Sequence, residues 1–207
     1  MADRPKKNKT NDQDLALITA INSGQVASFH TLVDKYSRRL YNFGLKMCKD
    51  VQDAEDLVQD TFLNVFRYLN GFRFETKFRN WLYRIAASTC IKKKRRSKFA
   101  PEQELSLEEF TTGEPPADTE GLPDWVTQPL DRILNQELGE TLQEAILKLP
   151  KKYRIVLVLR DLEGFSTNET ANILNLSTAN IKVRLHRARL FLRDELKGYF
   201  KDEQNQA

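Results

Sequence analysis

Cysteine and histidine are scarce in this chain, and each shortage excludes a class of chemistry. Cys48 and Cys90 are the only cysteines, and His30 and His186 the only histidines. No CxxC pair occurs and the four residues share no ligand-like spacing, so no metal site is expected. Both cysteines end helix-period stretches and are expected as small core or boundary residues. No apolar run approaches the roughly 18–20 residues of a membrane span. Arg4, Lys6, Lys7 and Lys9 are not followed by the apolar stretch of a signal peptide. The expected location is therefore cytoplasmic, with no membrane insertion. A β-period segment of useful length is missing too, which points to an all-α fold. There is no Walker A loop, HExxH or Ser/His/Asp arrangement in a sensible context. The chain is expected to use no cofactor and not to be an enzyme.

What is present is charge, unevenly placed. The 207 residues suffice for one or two domains, and 30% of them are charged against 40% hydrophobic. Nine carboxylates and no Lys or Arg lie between Glu102 and Asp131. The net +4 of the whole, less the −9 of this strip, leaves +13 on the rest. Pro101, Pro115, Pro116, Pro123 and Pro129 interrupt the same stretch. Residues 99–130 are therefore expected to be a flexible acidic linker, too long for an ordinary loop. Two helical domains would flank it, at 12–98 and 131–200, with polar tails at 1–11 and 201–207.

The first domain has four helical patterns. One runs through Leu15, Ile18 and Ile21 and stops at Ser23-Gly24. A second carries Phe29, Leu32, Tyr36, Leu40, Phe43 and Met47. Asp50 can cap a third that Asn70-Gly71 breaks. The fourth runs from Phe78 through Trp81, Leu82, Ile85 and Ala86 into the cationic Lys92–Arg96. Between the last two, Gly71-Phe72-Arg73-Phe74-Glu75-Thr76-Lys77 mixes aromatics with cations. Aromatics can stack on unpaired bases while cations follow phosphates, which suits single-stranded DNA. Phe78 and Trp81 are the aromatics most expected in the core.

The second domain reads as helices at 131–148, 151–161, 166–175 and 178–197, with Pro150 breaking the first from the second. Its last two helices form a helix-turn-helix pattern. Ser166 and Glu169 have the spacing of a capping box. Asn175 lies where positive φ is wanted, and Ser177 or Thr178 can cap the last helix. Ile181, Leu185, Ala188 and Leu192 make one buried stripe, and Lys182, His186, Arg189 and Arg193 share another face. A cationic helix face matches the phosphate walls and acceptor floor of the DNA major groove.

The motifs also carry a resemblance. Asp53-Ala54-Glu55-Asp56-Leu57-Val58-Gln59-Asp60-Thr61-Phe62, Phe72-Arg73 and Trp81-Leu82-Tyr83-Arg84-Ile85-Ala86 resemble the first conserved domain of the extracytoplasmic-function (ECF) sigma factors of bacterial RNA polymerase, in the sigma-70 family. Leu147-Lys148-Leu149-Pro150 and the helix-turn-helix resemble their second domain. The likeness covers about residues 12–97 and 131–196, in the right order.

The resemblance implies a division of labour. Asp53, Asp56, Gln59, Asp60 and Asn64 would dock on the clamp helices of the largest subunit of core RNA polymerase. Arg73, Phe74, Glu75, Thr76 and Lys77 would capture a flipped base of the −10 promoter element. Trp81 and Ser88 belong to the helix behind that loop, and Lys92 and Arg95 would meet backbone phosphates. Lys182, Val183, His186 and Arg187 would face the bases of the −35 element, with Arg184 and Arg189 on phosphates. The apolar side near Leu149, Tyr153 and Val156 would meet the flap of the second-largest subunit. The acidic linker would thread the basic active-centre cleft and RNA exit channel. An anti-sigma factor would hold the protein until a stress signal. The chain departs from the family at Ser88, where Asn is common, at Thr170, where an apolar residue is usual, and at Val183, which cannot hydrogen-bond a base. A conventional helix-turn-helix regulator is the competing reading, but it leaves residues 71–83 and the acidic strip unexplained.

Overall fold

A computed structural model describes residues 9–96 and 136–204. The tail residues 1–8 and 205–207 and the acidic linker at 99–130 lie outside the described residues, as do the side chains of Lys92 and Arg95. Among the described residues there are eight α-helices and no strand. They form two compact units, residues 9–44 with 50–96, and residues 45–49 with 136–204.

The first unit holds α1 (Lys9–Asn22), most of α2 (Ala27–Met47), α3 (Val51–Tyr68) and α4 (Phe78–Arg96), with one 3-10 turn at Leu69–Gly71. Helix α1 begins inside the segment expected as tail, because Asp12 in its first turn complements the helix dipole. Gly24, at φ 97°, closes the turn that ends it. Asp50 caps α3 by accepting a hydrogen bond from the Gln52 amide at 2.6 Å. The facing sides of the helices bury Ile18, Leu32, Tyr36, Leu40, Phe43, Leu57, Val65, Phe78 and Leu82. Each contributes about 1.5–3 kcal/mol by leaving water. Aromatic edges fix their rotation: Tyr36 meets Phe78 at 5.6 Å and Phe43 meets Tyr83 at 5.4 Å. Cys90 is buried and Cys48 half-buried.

Asp14 is a buried carboxylate in this apolar setting, 2% exposed. It accepts a 2.6 Å hydrogen bond from Tyr36 Oη and a 2.6 Å bond from Lys35 Nζ, so α1 is tied to α2. Burial pushes the Tyr36 hydroxyl well above the usual phenol range, and its bond to Asp14 adds to the shift. A polar residue inside α1's apolar stripe is not something periodicity reveals.

The second unit begins the described chain at α5 (Gln136–Lys148), followed by α6 (Lys151–Leu157), α7 (Thr167–Leu174) and α8 (Thr178–Gln204). Pro150 precedes α6 as expected. The helix expected over 151–161 is not uniform. After Leu157 it passes into a π-turn at Val158–Leu162, where the Glu163 amide reaches Val158 O at 2.8 Å. Arg154 is buried, and its Nε and Nη2 donate to Leu149 O at 3.1 and 2.8 Å. Nη2 also donates to Leu147 O. A guanidinium thus satisfies carbonyls that the end of α5 leaves open. Helix α8 runs past the expected end at 197 and takes in part of the predicted tail. Leu149, Tyr153 and Val156 are 0%, 3% and 0% exposed. They are core residues here, which corrects their expected place on an open apolar face. Their period matches a buried stripe as well as a docking stripe.

Candidate nucleic-acid interface

The helix-turn-helix is built by local capping. Ser166 Oγ accepts from the Glu169 amide at 3.1 Å, and Glu169 Oε2 accepts from the Ser166 amide at 3.0 Å. That reciprocal box starts α7. Asn175 ends it in the left-handed region at φ 55°, which Asn tolerates better than other side chains. Ser177 Oγ then accepts from the Asn180 amide at 3.2 Å and starts α8. Ile181, Leu185, Ala188 and Leu192 point inward, all under 8% exposed. This leaves Thr178, Ala179, Asn180 and Lys182 exposed along the first turns of α8, with Val183, Arg184, His186 and Arg187 half-exposed. An apolar inner face and a cationic outer face are what entry into a major groove requires.

Arg189 is placed differently from the sequence expectation. Its Nε and Nη2 each reach a carboxylate oxygen of Asp161 at 2.8 Å. The two side chains are only 14% and 11% exposed. The guanidinium assigned to a phosphate is held inside the protein by a carboxylate that lies on the π-turn. Periodicity placed Arg189 on the cationic face but could not show a partner 28 residues away.

In the first unit the 72–77 loop splits its aromatics. Phe72 and Phe78 are buried. Trp81 is half-buried, with its ring 5.1 Å from Phe72 and 5.8 Å from Phe78. Tyr83 is fully buried, so it and not Trp81 joins Phe78 in the deep core. Phe74 alone is thrown outward, 45% exposed, on backbone at φ 58°. A bulky residue in that region is an outlier, sustained only where the surroundings impose it. Arg73, Glu75, Thr76 and Lys77 are exposed around it. Ser88 lines a cavity of about 230 Å³ between α3 and α4 with Asn64, Tyr68, Arg84, Ile85 and Thr89. An amide, hydroxyls, a guanidinium and an aromatic ring therefore converge on a space of a size to take a planar heterocycle.

Asn64 lines this cavity with Ser88 and also lies one turn after Asp60, on the same face of α3. Gln59 is the expected docking residue that lies apart, five residues and about 140° around the helix from Asn64. Asp53, Gln59 and Asp60 are exposed and Asp56 half-buried, with Gln52 Nε2 3.4 Å from Asp56 Oδ1. Gln59 lines a second, wider groove of about 400 Å³ with Glu55 and Val58 of α3 and Ser37, Arg38 and Tyr41 of α2. Sequence reasoning missed the α2 wall. Its signal was the polar face Ser37-Arg38-Tyr41 at i, i+1, i+4, opposite the buried Leu32, Tyr36 and Leu40.

Known proteins match both units in sequence. A family model for sigma-70 region 2 matches residues 32–99, and one for sigma-70 region 4 matches residues 139–192. An ECF RNA polymerase sigma factor of Bacillus subtilis, SigW, is 34% identical over 87% of this chain and 95% of its own length. The chain belongs to the ECF sigma factors. The RNA polymerase sigma-H factor of Pseudomonas aeruginosa is 30% identical over 87% of this chain and 92% of its own. The sigma-E factor of Escherichia coli K12 is 28% identical over 85% and 90%. Among solved structures, CnrH, determined with the cytosolic domain of CnrY, superposes with a TM-score of 0.62 at 24% identity. It covers 90% of this sigma factor and 99% of that chain. The sigma factor RpoE of Bartonella quintana, determined with the anti-sigma factor NepR, gives 0.60 at 22% identity over 82% and 96%. Region 2 of this sigma factor thus carries the Phe74 loop and the Ser88 cavity, and region 4 carries the helix-turn-helix. No described helix is long and apolar enough to cross a membrane.

Proposed function

We propose that this sigma factor binds core RNA polymerase, opens the −10 element as single strands, reads the −35 element as duplex and so directs initiation. The observation that carries the reading is Phe74. Its phenyl ring is held outward on left-handed backbone between Arg73 and Lys77, with an edge contact to Phe72. A surface that stacks on an extruded base presents such a ring. The cavity shared by Asn64, Tyr68, Arg84 and Ser88 is the place for that base. Ser88 offers one hydroxyl where a carboxamide would offer a donor and an acceptor, so Asn64 supplies the amide from α3.

In region 4, Lys182, Val183, His186 and Arg187 face the bases of the −35 element and Arg184 meets phosphate. Val183 can only pack against a thymine methyl. Also in region 2, Gln59 presents an amide at the groove walled by Ser37, Arg38 and Tyr41, and Asp53, Asp56 and Asp60 present carboxylates on the outer surface of the same helix. That face suits the clamp helices of the largest polymerase subunit. The second-largest-subunit flap is the partner for region 4, and the acidic linker is an anion mimic for the polymerase cleft. An anti-sigma factor restrains the chain in the cytoplasm. The protein contributes binding energy and not catalysis.

Run-off transcription with purified bacterial core polymerase and a promoter library tests the proposal. The expected result is protein-dependent initiation from promoters sharing motifs about one and three helical turns upstream of the start. No initiation, together with salt-dependent binding to duplex DNA alone, overturns it.

A further inference from the structure

We infer that Asp161 is a specificity-determining residue, which withholds Arg189 from the DNA backbone and so limits non-sequence-specific binding by α8. The inference rests on the −35 reading of that helix. Arg189 lies three residues after His186 and seven after Lys182, so it shares their face of α8. An unrestrained guanidinium there would reach phosphate. A phosphate contact adds affinity for every sequence alike and raises the salt dependence without adding discrimination. The structure instead supplies a fork-to-fork partner, with both N–H···O distances at 2.8 Å and both side chains largely buried. Bidentate pairing of this kind is strong and holds one geometry.

The carboxylate is delivered by backbone irregularity. The π-turn at Val158–Leu162 inserts one residue into the helical register. It sets Asp161 toward α8, while Arg160 Nη1 donates to Phe165 O at 2.5 Å just before the α7 cap. Along the first three turns of α8, pairing leaves four basic side chains on the outer face, Lys182, Arg184, His186 and Arg187, beside the exposed Thr178 and Asn180, with Arg193 following farther along the helix. Three of these four stand at or beside the base-reading positions. The balance of contacts therefore shifts from backbone to bases.

The test measures binding of the full chain, by fluorescence anisotropy across a salt series, to two duplexes. One carries the −35 motif recovered from the transcription library, and the other scrambles it at equal composition. For Asp161→Asn, the log–log salt slope steepens by about 0.9, the increment for one more phosphate contact. Scrambled duplex binds more tightly and the matched-to-scrambled ratio falls severalfold. Asp161→Glu, which keeps the charge, stays close to the native protein. Asp161→Asn with Arg189→Gln returns the slope to the native value, because the released cation is gone. A variant that merely loosened the fold would weaken both duplexes, and the second substitution would not restore it. The inference is overturned if Arg189→Gln alone flattens the native slope by about 0.9, since Arg189 would then already be on phosphate. It is equally overturned if Asp161→Asn leaves slope and ratio unchanged. If the native protein does not distinguish the two duplexes at all, the −35 reading fails, whatever the variants do.

Discussion

Gly44 of α2 lies against Ala54 of α3 so closely that a Cβ added to the glycine would stand 3.0 Å from Ala54 Cβ and 3.1 Å from its Cα. The nearest atoms are backbone or the stub of a side chain, so nothing there can rotate away. This approach sets the spacing of the helices that wall the Ser37–Gln59 groove. Gly44→Ala gains about 1 kcal/mol of helix propensity and loses about 1–3 kcal/mol to overpacking. The expected net is a destabilisation of about 1 kcal/mol by urea unfolding. Core-polymerase affinity should fall as well, because the groove widens. An alanine variant as stable as the native protein would mean that the two helices are free to part.

Thr170 is fully buried in α7, and its hydroxyl has no hydrogen-bond partner. An unpaired buried hydroxyl costs about 1–3 kcal/mol. Thr170→Val keeps the shape and removes the oxygen, so thermal unfolding should occur several degrees higher. Unchanged stability would show that the hydroxyl is satisfied.

Much of this fold was legible before any coordinates, and the reason is local. Asp50, the Ser166–Glu169 box, Asn175 and Ser177 each act within three residues of themselves, and each was readable from spacing. The Ile181–Leu185–Ala188–Leu192 stripe was readable because burial follows helical period. What escaped depends on partners distant in sequence. Asp14 finds Tyr36, Arg189 finds Asp161, and Asn64 and Ser88 line one cavity from two helices. The π-turn escaped because it breaks the period on which helix reading depends. The candidate site followed the same rule. Its loop and recognition helix were found from motifs, while the α2 wall of the groove and the carboxylate behind Arg189 needed the packed structure.

Tyr36 makes stability depend on pH in the alkaline range. Its folded-state pKa is raised, by burial first and by Asp14 second. Above pH about 10 an unfolded tyrosine loses its proton, whereas folded Tyr36 keeps it. The unfolded chain then binds fewer protons, so stability falls as pH rises. The contribution is complete below that pH and declines as pH climbs toward the raised value. Tyr36→Phe should cost about 1.5–3 kcal/mol at pH 7, the worth of a hydrogen bond to a charged group. The gap between variant and native should narrow between pH 9.5 and 11.5, followed by urea unfolding. A constant gap across that range would mean that Tyr36 ionises equally in both states.

Phe74 sets stability against function. Its φ of 58° costs a non-glycine residue about 1–2 kcal/mol. Part of that is offset by the edge contact with Phe72 at 5.1 Å, worth about 0.5–1.5 kcal/mol. Phe74→Gly removes both strain and contact, so unfolding free energy should change by less than about 1 kcal/mol. Phe74→Ala removes the contact but keeps the strain, and should fall below the glycine variant by about 1 kcal/mol. If alanine and glycine proved equally stable, the left-handed backbone would be absent in solution. Both variants lose the outward ring, so both should open promoters at least tenfold more slowly, as read by 2-aminopurine fluorescence within the −10 element. Duplex binding through Lys182 and Arg187 should be untouched in the same samples. A glycine variant that opens promoters at the native rate would remove Phe74 from the base-capturing loop. The stacking surface would then have to be Trp81, whose ring is half-exposed beside Phe72.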